Sequence, residues 1–508
     1  MQDYFLGIDI GSGSTKAVAV DLNGKPVADS QIHYSIECPY PGYSEQDPET
    51  IWGALTSCIR DLLSKTGKAP RAVCFSSAMH SVIPVNEKGE ALAKMMTWAD
   101  GRSVDIADRL KESAHGEPLY RASGTPLHPM SPLCKIIWIR EHNPTLFEQT
   151  HKFISIKEYI WYKLFNEFCV DYSIATATGL FDIEKLSWNK LALEIAGITE
   201  SQLSVPVDTD YSAGGTNFVT RFIPELTPGI PFIIGASDGC LANLGSFATE
   251  PGKGAVTIGT SGAVRIASDK PIFNYSAMTF NYLLKKNKFI CGGAINNGGN
   301  AVQWYIKNIL NEEALSATDY ESFFQEAATV SAGSEGLIFL PYIIGERAPI
   351  WDVRSSGTFL GITSKHGRAH FSRAVLEGIC FSLKDVLESL EKSSENVTEL
   401  YVSGGFVNSG IWTQMLADVT GKQIRIAHSA DASAIGAAYL GMESMGIFIP
   451  MDNIANKTSS AVIYPSLANT EIYNTYFRIF KSIYPTLKQH MHQLNDLKSK
   501  IVQEQNSI

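Results

Sequence analysis

The stretch FLGIDIGSGSTKAVAVDLNG at residues 5–24 constrains this chain more than any other, because a second stretch near residue 255 repeats its plan. An apolar run from Phe5 to Ile10 ends in Gly11-Ser12-Gly13-Ser14-Thr15. A short alternating segment from Lys16 follows, and Asn23-Gly24 closes it. The pattern predicts strand, glycine-rich turn, strand, turn. Walker loops and dinucleotide fingerprints need a helix after their glycines, whereas a β-branched segment stands here. Taken alone, such a turn reads more readily as a plain tight hairpin. The segment 253–266 changes that weighting by repeating strand, Gly259-Thr260-Ser261 turn and strand at the head of the second half. Two hairpins of one type, each opening a half, predict two similar domains facing each other across a nucleotide. In that reading the glycines bring backbone N–H groups up to phosphates, while Ser12, Ser14 and Thr15 add hydroxyls and Asp9 holds a magnesium ion.

A chain of 508 residues exceeds one comfortable core, which agrees with two domains. A net charge of −10 argues against nucleic acid and anionic membrane as partners. The one lysine cluster, Lys285-Lys286 with Lys288, reads as a hairpin tip rather than a basic stripe. Eight scattered cysteines (Cys38, Cys58, Cys74, Cys134, Cys169, Cys240, Cys291 and Cys380) show no metal or redox spacing and read as reduced core residues. Asp3 and Asp9 come too early for a signal peptide, and no apolar run reaches membrane-spanning length. A soluble cytoplasmic protein is expected.

Strands and helices alternate through both halves, which predicts α/β architecture. The expected boundary places one domain at residues 1–248 and the other at 249–508, with the polar tail from Lys488 as a terminal helix. Several junctions carry candidate chemistry. Strand 231–236 runs into Asp238-Gly239, and Asp238 is either a helix N-cap or a general base for a sugar hydroxyl. Met79-His80 follows the buried strand 72–76, at the kind of strand end where α/β proteins place ligands, although His80 reads at least as readily as a surface or satisfied histidine. Trp98, Asp100 and Arg102 together suit a polyol, or else form a packed tryptophan beside a helix cap. Gly299, before the helix 301–309, offers backbone near a ribose. Gly404-Gly405, before the helix 411–420, either lets an adenine lie flat or is a plain tight strand-to-helix connection, and the small-residue helix after Asp431 suits close packing behind it.

Together these residues resemble the FGGY family of carbohydrate kinases. The segment 130–142, MSPLCKIIWIREH, is similar to the family's first signature. Gly357–Ile362, His370-Phe371 and Ala374–Glu377 are similar to its second. The resemblance spans residues 5 to about 445. It implies two ribonuclease H-like domains, of the actin, hexokinase and Hsp70 ATPase type, around a central nucleotide cleft. It further implies Asp238 as catalytic base, Asp9 as magnesium-linked carboxylate, and Gly11, Ser12, Ser14, Thr15 and Lys16 as the first phosphate turn. Gly259, Thr260 and Ser261 form the second, with Gly299, Gln303, Gly404, Gly405 and Asn408 as the nucleotide wall. Met79, His80, Trp98, Asp100 and Arg102 fall at the sugar side. Within the family, MHS at 79–81, WADGRS at 98–103 and GASDGC at 235–240 resemble the gluconate-phosphorylating subgroup more than those for xylulose or glycerol. Arg102 and Arg347 are candidates for a sugar-acid carboxylate. Two departures are Ser12-Gly13 in place of a threonine-rich turn, and Asp431 where the family usually has glutamate. The implied partners are ATP with Mg2+ and a small sugar acid or polyol; a homodimer stays open. Two alternatives remain: a kinase of another polyol or ketose, and a non-catalytic ATP switch of the same superfold.

Overall fold

The computed structural model describes residues 3–505 apart from 215–216, 227, 313–315, 395, 428–430 and 448–461. The chain divides into two compact units. The first takes in the chain up to Glu250, Ala267–Cys291 and the stretch that opens at Asp431; the second takes in Pro251–Ile266, Gly292–Ala430 and the C-terminal stretch.

The first unit rests on a six-stranded sheet in the order Ser212–Gly214, Pro231–Ser237, Val73–Ser77, Tyr4–Ile10, Ser14–Asp21, Pro26–His33. The strands from Pro231, Val73 and Tyr4 run parallel. They are near-continuous apolar runs because both faces are covered. Alternation along the first strand sends Tyr4, Leu6, Ile8 and Ile10 into a core shared with Ile51, Leu55, Ile59 and Leu62 of the helix Pro48–Thr66. That helix starts on Asp47, whose side chain accepts from the Glu49 amide, with Pro48 in the first turn. Phe5 enters the other core, with Ala434, Ala437 and Ala438 of the helix Ala432–Ser444. Gly7 lies on that second face, where a Cβ would stand 1.8 Å from the Ala434 carbonyl, so the helix backbone crosses directly over the strand. The small residues of Ala432–Ser444 therefore pack inside the first unit. The sequence reading put them behind Gly404-Gly405, on proximity along the chain alone.

In the second unit, Lys253–Ile258 and Gly262–Ser268 form the antiparallel hairpin, with Ile258 opposite Gly262. Glu399–Ser403 joins Lys253–Ile258 in parallel, followed by Gln423–Ile426 and Val462–Ile463. The helix Arg368–Glu391 carries the buried Glu377, which accepts from the Gly333 amide, Ser334, Arg373 and Tyr473. This knot ties the helix to Leu467–Gln505, which begins well before Lys488 and runs through Pro485. The expected helix 301–309 is instead a short α-helix, Gly299–Trp304, continued as one turn of π-helix, Tyr305–Ile309. Among the described residues the cysteines are all unpaired; seven are buried as expected, and Cys38 is exposed. No described helix is long and apolar enough to cross a membrane.

Candidate active site

Parallel register brings three strand ends of the first unit to one edge. Asp9 stands beside Ser76, and Ser77 beside Ser237, so the first turn, the loop with Met79-His80 and the start of the helix Asp238–Gly245 share that edge. Such carboxyl ends are where open α/β sheets bind ligands. Asp9 lies on the same strand face as Phe5 and Gly7, two residues past the point where Ala432–Ser444 crosses.

The junction that presents Asp238 is braced from below. The Lys157 ammonium pairs with the Asp171 carboxylate at 2.7 Å and donates to the Ala236 carbonyl at 2.9 Å, all deeply buried. Ser173 bonds the Ser237 hydroxyl at 2.9 Å and accepts from its amide at 3.0 Å. A register shift between Ile233 and Ala236 re-aims the strand end. The helix cap is Ser237, which accepts from the Cys240 amide. Asp238 is thus the first helical residue and not the cap, so the bland alternative for it does not hold. Its Oδ1 accepts from the Gly239 amide at 2.6 Å.

Asp9 accepts from Ser76 Oγ at 2.7 Å. Its carboxyl is pushed up to about 7, first by burial, then by the Asp238 and Asp431 charges; the Ser76 hydrogen bond and the Lys157 charge pull the other way. Three carboxylates therefore feel one another at this edge. Asp431 precedes Ala432–Ser444 without capping it through its side chain, and forms a close ion pair with Lys16. Among the described residues no three metal-ligating side chains form a self-sufficient cage.

The first turn is held by its carbonyls. Tyr34 donates to the Gly11 carbonyl at 2.6 Å and its amide to that of Gly13 at 3.1 Å; Gln46 donates to the Ser12 carbonyl at 2.7 Å. Gln31 donates to Ser14 Oγ, while Thr15 turns inward with its hydroxyl 3.2 Å from that of Tyr34. The turn with Ser12-Gly13 is thus tied to Tyr34, Gln46 and Gln31, none of which the sequence singled out.

At the sugar-side positions, His80 is buried with its Nδ1–H on the Ala177 carbonyl at 2.8 Å, which leaves Nε2 to accept from the Tyr282 hydroxyl at 3.2 Å. Met79 packs on the edge of the second core. Trp98 is 38% exposed and its indole N–H reaches Ser12 Oγ at 2.8 Å. Asp100 and Arg102 are committed to each other. The guanidinium donates to both Asp100 oxygens at 2.7–3.1 Å and to Glu45 at 2.5 Å, and lies 3.6 Å over the Tyr43 ring. Asp100 also accepts from the Ser44 amide, and the cap of the next helix is Ser103, so Asp100 is a buried ion-pair partner rather than a cap. Arg347, in the second unit, donates to the Ile295 carbonyl at 3.2 Å.

In the second unit the turn 259–261 is anchored by the amides of Gly298, Gly299 and Asn300, which donate to its carbonyls at 2.7–3.2 Å. Gly404 has φ +106°, and a Cβ there would stand 2.2 Å from the Ile258 carbonyl, so only glycine lets the two strand ends meet. Beside them a cavity of about 810 Å³ is lined by Gly259, Thr260, Gly299, Gln303, Gly405 and Asn408. Its apolar wall comes from Phe406, Ile411 and Trp412, and from Tyr320 and Phe324 on the helix Ala317–Ala328. Ser316 and Asp319 form that helix's capping box, the local signal that marks it.

This is the architecture of an actin-type ATPase. The chain matches the FGGY family of carbohydrate kinases, its N-terminal domain over residues 4–245 and its C-terminal domain over 254–445. It belongs to that family, and is an ATP-dependent carbohydrate kinase. It is 38% identical to a gluconokinase of Bacillus subtilis, covering 98% of each chain. It is 30% identical to a xylulose kinase of Lactococcus lactis, covering 97% of this chain and 98% of the other. A crystal structure of a gluconate kinase from Lactobacillus acidophilus superposes with a TM-score of 0.91 at 31% identity, over 96% of this chain and 98% of the other. A ligand-bound xylulose kinase from the same organism gives 0.91 and 31% over 97% and 100%.

Proposed function

We propose that this kinase transfers the γ-phosphoryl group of ATP to the terminal hydroxyl of D-gluconate, giving 6-phospho-D-gluconate and ADP. Similarity of fold does not separate the sugars, since gluconate and xylulose kinases superpose equally well. Sequence does lean: 38% identity to a gluconokinase against 30% to a xylulose kinase, each over nearly the whole chain. The observation that carries the chemistry is Asp238 as first residue of its helix, with capping left to Ser237.

In this reading Asp238 orients the sugar hydroxyl and takes its proton as oxygen bonds to the γ-phosphorus and the bond to the β,γ-bridging oxygen breaks. Lys157 and Ser173 fix the backbone that aims it. The pinned turn at Gly11–Ser14 holds phosphate, and the cavity of the second unit takes adenine and ribose. Asp9 suits magnesium: its carboxyl is crowded by two like charges that a cation would offset, and an ion with few protein ligands plus phosphate oxygens is magnesium's usual habit. Bound there, it would neutralise phosphate charge. Arg102 is already spent on Asp100 and Glu45, so the acid's carboxylate is recognised by other groups.

A panel of purified-enzyme assays with gluconate, xylulose, glycerol and ribulose tests the substrate. Gluconate is expected to give the highest kcat/KM; a higher value for xylulose would replace this assignment with the ketose reading.

A further inference from the structure

Lys135, in the helix Pro132–His142, is fully buried, 0% exposed, in the core beneath the sugar-side loops. Its ammonium donates to two main-chain carbonyls, those of His80 and Thr97, each at 2.6 Å. No ion pair to Lys135 occurs among the described residues; Asp100 supplies only a more distant charge. Burial pushes its ammonium down to about 7, because a charge held against neutral carbonyls is costlier than an apolar side chain of similar size. Stability alone therefore does not account for a lysine here.

The two carbonyls are informative. His80 has φ +66°, a left-handed backbone uncommon outside glycine, though histidine adopts it more readily than most residues. Its ring is fixed by Ala177 and Tyr282, and its carbonyl by Lys135. Thr97 leads into Trp98, whose indole bonds the phosphate turn at Ser12. One ammonium thus bridges the Met79-His80 loop and the Thr97-Trp98 loop.

We propose that Lys135 is a positioning residue for the polyol: it sets the spacing of these two loops, so that the sugar hydroxyl chain is presented in register with the phosphate turn. This rests on the reading of both loops as the sugar side, and deepens it. Lys135 touches no substrate and acts through the carbonyls it binds.

The test is Lys135→Met, which keeps length and removes the donor. KM for the sugar should rise about tenfold or more, the loss expected for charge-assisted hydrogen bonds, while KM for ATP stays within about twofold. Lys135→Gln, which keeps an uncharged N–H donor, should fall between Met and wild type. A merely structural lysine would lower the yield of folded enzyme without separating the two KM values. Equal changes in both KM values, no change in either, or failure of both variants to fold would overturn the proposal. The measurement uses whichever sugar wild type prefers, so a preference for xylulose would reject the gluconate assignment and leave this test intact.

Discussion

The two glycine turns of this protein share one frame and differ in what stands beside them. In the first unit Asp9, next to last in its strand, faces Ser76 on the parallel neighbour and bonds it at 2.7 Å. In the second unit the equivalent residue is Thr257, which faces Ser403 with the hydroxyls 3.1 Å apart. The same register thus carries a carboxylate in one unit and a hydroxyl in the other. Further contrast follows: Asp238 and Asp431 charge the first site, while Phe406, Trp412 and Phe324 line the second. In the proposed reading, the repeated strand–turn–strand supplies the backbone that grips phosphate. In that same reading, the residue two positions before each glycine, Asp9 or Thr257, separates a site that handles protons and cations from one that holds a nucleotide.

Making the first site resemble the second is the sharpest way to break the comparison. Asp9→Thr should lower kcat on the order of 10²-fold or more at saturating Mg2+ and ATP, as loss of a charge-stabilising group does. The matching change in the second unit, Thr257→Val, should move kcat and the KM for ATP by about threefold at most, the scale of one neutral hydrogen bond. Comparable losses in the two variants would erase the distinction.

The nucleotide side has its own weak point. Gly404→Ala forces a Cβ to within 2.2 Å of the Ile258 carbonyl at φ +106°. Affinity for ATP, measured by calorimetry, should drop about 5- to 100-fold, equivalent to roughly 1–3 kcal/mol of local strain, with the sugar KM nearly unchanged.

A thermal measurement tests the sign of the Asp9 shift. The Asp9 carboxyl titrates near 7 in the folded chain against 3.8 without its surroundings, so folding disfavours its charged form. Wild-type stability contributed by this group is therefore full below pH 4 and is lost as pH rises through 7. Without divalent cation, Asp9→Asn should melt a few degrees above wild type at pH 8, and the margin should vanish toward pH 4. A lower melting temperature for the variant at pH 8 would contradict the crowding of charges described here.

The smallest effect concerns Arg102. Because its guanidinium is held by Asp100, Glu45 and the Tyr43 ring, Arg102→Lys should lower stability and leave the ratio of gluconate to xylulose kcat/KM within about threefold. A collapse of that ratio would make Arg102 a carboxylate ligand after all.

What sequence could and could not reveal follows the range of each interaction. The junctions that carry Asp9, the two turns and Asp238 were legible because each is a local strand-to-turn or strand-to-helix signal. The alternative of Asp238 as a cap needed coordinates to resolve, since Ser237 and Asp238 are both good caps. Tyr34, Gln46, Lys157 and Lys135 were not legible as supports: each acts on a backbone atom distant in sequence, and a buried polar residue gives no periodic signal. The helix Ala432–Ser444 was recognised as a close-packing element but assigned to its neighbours in sequence, whereas it packs over Gly7. Pro485 reads as a helix breaker, which hid the true start of the last helix at Leu467. Tyr320 and Phe324 escaped because an amphipathic helix looks the same whether it lines a cavity or a core.

The central claim is that the Asp238 carboxylate accepts the proton of the sugar hydroxyl during phosphoryl transfer. Single-turnover transfer by Asp238→Asn, with ATP binding measured on the same preparation, tests it directly. The expected rate is lower by about 10²- to 10⁴-fold with ATP affinity unchanged. Transfer at the wild-type rate by a variant that binds ATP normally would contradict it.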